Sequence, residues 1–219
     1  PLTLDARLGH AKMVRGERSE TFVLLEVQGS DGKDGQAAAA DGHLAIVMDQ
    51  SGSMIGSRIA NAKAGALRAI DQLRDGDMVT VVTFDTRTRV VVPPTVVDRA
   101  SRGRIAADVQ AITLGGDTCI SCGVEVALTE LAREPGPVTR MLLLSDGQAN
   151  HGVRDVSGCR NLAKRAADRD VTIPSIGVDI DYDEKTLVAV ADASNGRHYF
   201  VENDAGLSRV FEEEARFLT

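Results

Sequence analysis

Several residue types that mark particular functions are scarce in this chain of 219 residues. It contains no tryptophan, two tyrosines and five phenylalanines, and 32 aspartate and glutamate residues outnumber 25 lysine and arginine residues. Nucleic-acid binding needs a basic surface, and single-strand binding usually adds aromatic side chains on which bases stack. The net charge of -7 and the few aromatic residues therefore argue against a nucleic-acid-binding protein.

Cysteines and long apolar segments are also few. Three cysteines cannot all pair within one chain, and a domain of this size does not depend on disulfides, so we expect a reducing compartment and a cytoplasmic protein. Apolar runs such as 44–48 have the length of a strand, well short of the roughly 18 residues that predict a membrane span. Because the chain begins at Pro1 without a signal-peptide pattern, we expect a piece of a longer protein.

The residues that are present predict one globular domain preceded by a short β-strand extension. Apolar residues make up 43% of the chain and charged residues 26%, which is enough for a sizeable core. The extension covers 1–28 and contains predicted strands at 2–8 and 21–27, which must either dock on the main domain or belong to a β-sandwich. Segment 29–42 is rich in glycine and acidic residues and predicts a flexible loop, so the main domain is expected over 43–219.

From residue 43 onward, short apolar runs alternate with helical patterns, which is typical of βαβ units. Strands are predicted at 43–48, 78–84, 88–92, 140–144, 171–177 and 197–201. Helices are predicted at 57–74, 101–111, 121–133, 157–169, 183–193 and 205–217. Right-handed crossovers then give a doubly wound, Rossmann-like α/β fold. It has a mainly parallel six-stranded sheet, helices on both faces and an antiparallel edge strand at 88–92.

Polar side chains gather where the predicted strands end. Asp49, Ser51 and Ser53 follow the first buried strand, Asp146 follows the strand at 140–144, and Thr118 lies in a glycine-rich loop between them in sequence. Ligands of such sheets bind at the carboxyl ends of the strands. Carboxylates and hydroxyls without histidine or cysteine are the oxygen ligands that Mg²⁺ or Mn²⁺ prefer. The sequence therefore predicts a metal site at this edge.

At these residues the chain resembles the von Willebrand factor type A (VWA) domain family, of the bacterial type, with its metal-ion-dependent adhesion site (MIDAS). The motif is Asp-x-Ser-x-Ser, a later Thr in a glycine-rich loop and a final Asp-Gly, and all five positions are filled. The resemblance implies direct metal bonds from Ser51, Ser53 and Thr118, and mainly water-mediated contacts from Asp49 and Asp146. It implies a protein-binding module, not an enzyme, in which bound Mg²⁺ or Mn²⁺ coordinates an acidic residue of a partner protein.

Three other interpretations stay open. Asp49 and Ser53 could simply cap the helix that follows them. The same metal could serve a hydrolase, although position 51 is serine where aspartate-based phosphatases have the second aspartate of an Asp-x-Asp motif, and the chain has no phosphate-binding loop or hydrolase elbow. Cys119 and Cys122 directly follow Thr118 near a helix N-terminus, which favours a thiol-redox switch, whereas the simpler expectation is two thiols packed under the sheet.

Further expectations concern residues outside the motif. Asp117 and His151 are expected to be solvated loop residues, and Cys159 is expected to lie in the core. The last predicted helix should bury an apolar face formed by Leu207, Val210, Phe211 and Phe217. Its acidic run should form a solvated face, made of Glu212, Glu213 and Glu214.

Overall fold

The computed structural model divides the chain into two compact units, residues 1–39 and 40–219. It describes residues 2–8, 22–29, 41–146, 148–178, 182–201 and 204–218. The first unit contains strand β1, Leu2–Leu8, paired antiparallel with strand β2, Val23–Gly29. Both predicted strands of the extension are therefore present, although most of the predicted flexible loop, residues 30–40, lies outside the described residues.

The small β1–β2 sheet has one apolar face. Leu4 pairs with Val27 and Ala6 pairs with Leu25, so the four side chains point to the same side of the sheet. Leu4, Leu25 and Val27 are each at least 60% exposed. The opposite face is charged, and the Arg7 guanidinium there contacts the carboxylate of Asp5 at 2.7 Å. Apolar and polar side chains thus alternate along β1 between the two faces of the sheet.

The second unit is built on one large sheet. Its strands are β3 Gly42–Asp49, β4 Met78–Phe84, β5 Thr88–Val96, β6 Val138–Ser145, β7 Val171–Thr172, β8 Ser175–Val178 and β9 His198–Val201. The strand order is β5-β4-β3-β6-β8-β9, and the short β7 pairs beside β6. Only the β4–β5 pairing is antiparallel among the described strands of this sheet, and β5 lies at its edge. The predicted doubly wound fold with one antiparallel edge strand is confirmed.

One predicted strand is divided in two. The apolar run at 171–177 forms β7 and β8 with a break at Ile173 and Pro174. Proline has no backbone N–H and cannot complete a ladder inside a sheet. The N–H of Ile173 instead donates to the Ser194 hydroxyl at 3.1 Å. The break explains why the described sheet has seven strands where six were predicted.

The helices lie close to their predicted positions. They are α1 Ser57–Gln72, α2 Ser101–Gln110, α3 Ile120–Leu131, α4 Val156–Ala167, α5 Glu184–Ala193 and α6 Asp204–Arg216. Two of them begin at sequence-encoded caps, because the Asp155 carboxylate accepts from Gly158 N and the Asp183 carboxylate accepts from Thr186 N. No helix in the described part of the chain is long and apolar enough to cross a membrane.

Strand β3 is buried on both faces and divides the core in two. Leu44, Ile46 and Met48 face a cluster that includes side chains of α1, α2 and α6. Ala45 and Val47 face a second cluster that includes side chains of α3, α4 and α5. The second cluster contains Cys159, as predicted, and burial raises the pKa of its thiol to about 11. The continuous apolar run at 44–48 is the sequence sign of this double burial.

Helix α6 departs from its prediction at two positions. Phe211 is buried as expected, but Phe217 is 52% exposed and lies over the Arg140 guanidinium, 4.6 Å from the ring centroid. Glu214, predicted to be solvated, is only 1% exposed. Its carboxylate accepts hydrogen bonds from Arg140 and from the Tyr199 hydroxyl. Residue 214 lies three residues after Phe211 on the helix, so it shares the buried face, and its charge is paired there.

Candidate metal-binding site

The pairing of two central strands brings the two motif aspartates together. Strand β3 ends at Asp49 and its parallel neighbour β6 ends at Ser145, with Met48 opposite Leu144 in the register. Asp146 follows Ser145 directly. Both carboxylates therefore reach the carboxyl edge of the sheet side by side, as the sequence predicted.

Asp49 is fully buried and held on both oxygens. Its Oδ1 accepts from the backbone N–H of Ser51 at 2.8 Å, and its Oδ2 accepts from the Ser145 hydroxyl at 2.6 Å. Burial raises the pKa of Asp49 to about 6, although the hydrogen bonds from Ser145 and Ser51 oppose the rise. The side chain is thus fixed in position, and a nearby cation would stabilise its charged form.

A chain of hydrogen bonds continues from Asp49 to Asp146. The hydroxyls of Ser51 and Ser53 lie 2.9 Å apart, and the Ser53 hydroxyl donates to Asp146 Oδ1 at 2.7 Å. Four of the five predicted residues are therefore in one connected cluster. Asp49 and Ser53 do not act as side-chain caps, because neither the 3-10 turn at 52–54 nor α1 has a side-chain hydrogen bond at its N-cap.

The loop that carries Thr118 packs against the Asp-x-Ser-x-Ser loop through its backbone. Gly115 N donates to the carbonyl of Gln50 at 2.7 Å, and Gly52 N donates to the carbonyl of Gly116 at 3.0 Å. Thr118 itself is buried. The two loops together form the rim of the site, and the third predicted hydroxyl belongs to this rim.

The segment after β6 holds Thr118 from the other side. Thr118 N donates to Asn150 Oδ1 at 2.8 Å, and its carbonyl accepts from the backbone N–H groups of Asn150 and His151. The side chain of His151 is exposed, as predicted. Asp117 is exposed as well, and its backbone N–H donates to the Thr86 hydroxyl at 2.9 Å. Asn150 is a positioning residue that sequence reasoning missed.

A third aspartate, Asp85, supports the loops and was also missed. Its Oδ2 accepts from the Gln50 amide at 2.8 Å, and its Oδ1 accepts from the N–H of Arg87 at 2.6 Å. A Cβ added at Gly115 would lie 1.5 Å from Asp85 Oδ2, so the loop needs glycine at that position. Because Asp85 directly follows strand β4, the strand-end rule that found Asp49 and Asp146 could have found it.

Arg58, in the first turn of α1, contacts the cluster from the solvent side. Its Nη1 donates to the Ser53 carbonyl at 2.6 Å and to Asp146 Oδ2 at 3.2 Å. The side chain of Arg58 is 36% exposed, while that of Asp146 is fully buried. Nothing in the motif spacing indicated this arginine, because the contact depends on how α1 leaves the loop.

The two cysteines after Thr118 form a disulfide, which corrects the expectation of two packed thiols. Cys119 precedes α3 and Cys122 lies in its first turn, with their Cα atoms 5.3 Å apart. This separation falls within the range that a disulfide spans. Gly152 packs closely against the pair, since a Cβ added there would lie 2.4 Å from Cys119 Sγ.

The donor set fits a hard divalent cation. No group of three or more histidine, cysteine, aspartate or glutamate side chains suited to a metal occurs among residues that the structure describes. A metal here must therefore use the hydroxyls of Ser51 and Ser53 beside the two carboxylates. Oxygen donors of this kind suit Mg²⁺ or Mn²⁺, whereas a structural zinc site normally uses thiolate or imidazole ligands.

The fold and this cluster define the class of protein. The profile of the von Willebrand factor type A domain matches residues 43–213, and the chain belongs to that family. Its members are protein-interaction modules. The matched residues contain all five motif positions and end within α6.

Individual relatives agree with this membership. The chain is 30% identical to the uncharacterized protein sll0103 of Synechocystis over 185 residues, which are 81% of this chain and 43% of that protein. A solved von Willebrand factor type A structure from Catenulispora acidiphila has a TM-score of 0.80 at 22% identity, covering 97% of this chain and 49% of that one. Proximal thread matrix protein 1 of the mussel byssus, solved with a zinc-occupied MIDAS motif, has a TM-score of 0.69 at 22% identity, covering 82% and 46%. The chain spans less than half the length of each.

Proposed function

We propose that this chain is a metal-dependent protein-binding module. Mg²⁺ or Mn²⁺ would be held directly by Ser51, Ser53 and Thr118, with Asp49 and Asp146 acting mainly through water. The hydrogen-bonded path from Asp49 through both serines to Asp146 carries the proposal, because it connects four of the five motif residues. The metal would supply an electrophilic face for a carboxylate of the partner.

Charge balance supports an acidic partner. The two carboxylates together offset the charge of a divalent cation. The hydroxyls of Ser51, Ser53 and Thr118 are neutral and add no further negative charge. If the carboxylates act through water, the cation keeps much of its attraction for a further anion. An aspartate or glutamate of a partner protein is such an anion, and its carboxylate offers the metal an oxygen ligand, as the residues of the site do.

Binding is better supported than turnover. Both oxygens of Asp49 already accept hydrogen bonds, and the oxygens of Asp146 accept from Ser53 and Arg58. A general base must have a lone pair directed at the proton it takes, and the hydrogen bonds that fix these carboxylates limit the directions in which their remaining lone pairs point. We therefore propose a non-enzymatic role.

The test is calorimetric titration of Mn²⁺ into the wild type, Asp49→Ala and Asp117→Ala. Asp49→Ala should abolish detectable binding, because it removes a charge and releases the Ser51 loop. Asp117→Ala is the matched control, because it removes an exposed carboxylate next to Thr118 that does not belong to the hydrogen-bonded cluster. The Mn²⁺ affinity of this variant should stay within about twofold of the wild type. Equal affinity in the wild type and Asp49→Ala would refute the site, and metal-dependent hydrolysis of phosphate esters would refute the non-enzymatic role.

The Cys119–Cys122 disulfide favours a second candidate, a thiol-redox switch. Reduction by a dithiol would break the S–S bond to give two thiols and would release the N-terminal turn of α3 next to Thr118. We expect weaker Mn²⁺ binding in the reduced protein, by about three- to tenfold. A Cys122→Ser variant cannot form the disulfide, so it should bind Mn²⁺ as weakly as the reduced protein does, with and without the dithiol. Equal Mn²⁺ affinity in the oxidised protein, the reduced protein and the variant would exclude the switch.

A further inference from the structure

We propose that Arg58 selects anionic ligands at the metal site and moderates the affinity of the site for the metal. The inference rests on the proposed function and assigns a role to a residue outside the five motif positions. Its starting observation is that one buried carboxylate, Asp146, is shared between Arg58 and Ser53.

The two oxygens of Asp146 are divided between these partners. Oδ1 accepts from the Ser53 hydroxyl at 2.7 Å, and Oδ2 accepts from Arg58 Nη1 at 3.2 Å. The same Nη1 donates to the Ser53 carbonyl at 2.6 Å. The guanidinium therefore contacts both residues of the Ser53–Asp146 hydrogen bond. Arg58 thus brings a permanent positive charge to the group that must also attract the metal.

This arrangement opposes metal binding. The metal and the guanidinium are both attracted to the carboxylate of Asp146, and the two positive charges repel each other. With Asp49, Asp146, a divalent cation and Arg58 together, the formal charges sum to one positive. Without the arginine they sum to zero. The guanidinium therefore lowers metal affinity and leaves the loaded site with a net positive charge.

The same charge favours an anionic ligand. The side chain of Arg58 is 36% exposed, so its charge lies at the edge of the site and not in the core. The permanent positive charge of the guanidinium attracts a carboxylate, whereas a neutral amide of the same shape is attracted much less. Arg58 therefore distinguishes an acidic partner residue from asparagine or glutamine in addition to any preference of the metal.

The first experiment measures the metal alone. Mn²⁺ is titrated calorimetrically into the wild type, Arg58→Gln, Arg58→Lys and Arg68→Gln. The glutamine variant should bind Mn²⁺ about three- to tenfold more tightly because the repulsion is removed, while the lysine variant should stay near the wild type. Arg68→Gln is the matched control, since it removes a charge from α1 that contacts the half-exposed Glu212 instead of the site.

The second experiment measures a probe ligand. Acetate and its neutral isostere acetamide are titrated into the Mg²⁺-loaded proteins, and binding is followed by amide chemical shifts. In Arg58→Gln, acetate should bind about three- to tenfold more weakly, while acetamide binding should not change. A residue that only supports the fold would not move metal and carboxylate affinities in opposite directions.

Each result decides the proposal. Tighter Mn²⁺ binding together with weaker acetate binding in Arg58→Gln supports it. Unchanged values, or a parallel loss of both affinities, overturn it while leaving the proposed metal site intact. A wild type that binds neither Mn²⁺ nor Mg²⁺ overturns the proposed function as well, so the two failures are distinguishable.

Discussion

At the scale of single residues, the burial of Asp49 should make the proposed metal binding depend on pH. The pKa of this carboxyl is raised to about 6, mainly by burial, and a cation needs its ionised form. Above pH 6 the carboxylate is ionised and the metal does not have to displace a proton. Below pH 6 each metal ion must displace that proton, so the affinity falls by up to about tenfold per pH unit.

The check is calorimetry with Mn²⁺ between pH 5 and pH 8 in buffers of different ionisation enthalpy. Proton release on binding should rise as the pH falls through 6. A metal affinity that does not change over this range would contradict the predicted role of Asp49.

Gly115 is the residue at which a single methyl group should disturb the site. An added Cβ would lie 1.5 Å from Asp85 Oδ2, so Gly115→Ala must shift the Gln50–Asp85 contact or the loop that carries Thr118. We expect Mn²⁺ affinity to fall at least tenfold, with a loss of stability of about 1–3 kcal/mol.

Gly103→Ala provides the control for this change, because an added Cβ there has no neighbour within 4 Å. Gly103 lies inside α2, so alanine should stabilise the protein by roughly 0.5–1 kcal/mol and leave metal binding unchanged. Calorimetry and urea unfolding measure both quantities. An alanine at position 115 that binds Mn²⁺ normally would contradict the idea that this loop needs glycine.

At the scale of the elements, α6 is attached to the sheet by a buried charge. Glu214 on α6 accepts from Arg140 on β6 and from Tyr199 on β9, and burial together with the Glu214 contact raises the pKa of Tyr199 to about 12. Arg140→Met would leave this carboxylate without its cation, so we expect a loss of about 2–4 kcal/mol in the free energy of unfolding. Arg209→Met, at an exposed position of α6, should cost less than about 0.5 kcal/mol. Equal unfolding midpoints for the two variants in urea would contradict the prediction.

The sequence predicted the helices, the strands and most of the site, but not the buried contacts of α6. The helices and strands follow from hydrophobic periodicity, and Asp49, Ser51, Ser53 and Asp146 follow from their places at strand ends. Glu214 was misassigned because three consecutive glutamates resemble a solvated face, and only tertiary contact supplies Arg140 and Tyr199.

The missed residues of the site share a physical reason. Asp85, Asn150 and Arg58 form hydrogen bonds to residues that are 32 to 88 positions away in sequence, and Arg58 does so from a helix whose direction the motif does not define. The disulfide depends likewise on how closely Cys119 and Cys122 approach at the start of α3. Spacing predicts which residues meet at a sheet edge, but not which neighbours hold them there.

At the scale of the whole molecule, all five motif residues belong to the second unit. The first unit exposes Leu4, Leu25 and Val27 on one face, whereas the second unit contains the described core and the five motif residues. Deleting residues 1–39 should therefore leave the Mn²⁺ affinity within about twofold of the full chain. Loss of cooperative unfolding in the shortened chain would show that the second unit depends on the first.

The contact between Gly42 and Leu218 has a consequence for engineering. A Cβ added at Gly42 would lie 3.0 Å from Leu218 Cβ, so both ends of the second unit meet beside the start of β3. Asp49 ends the same strand at its opposite end. Residues 41–218 could therefore be grafted into a surface loop of an unrelated host, with both junctions at one point and the ion-binding rim facing away. If the proposed function holds, such a chimera would bind its partner only in the presence of the cation, at an edge of the sheet that lies away from the host.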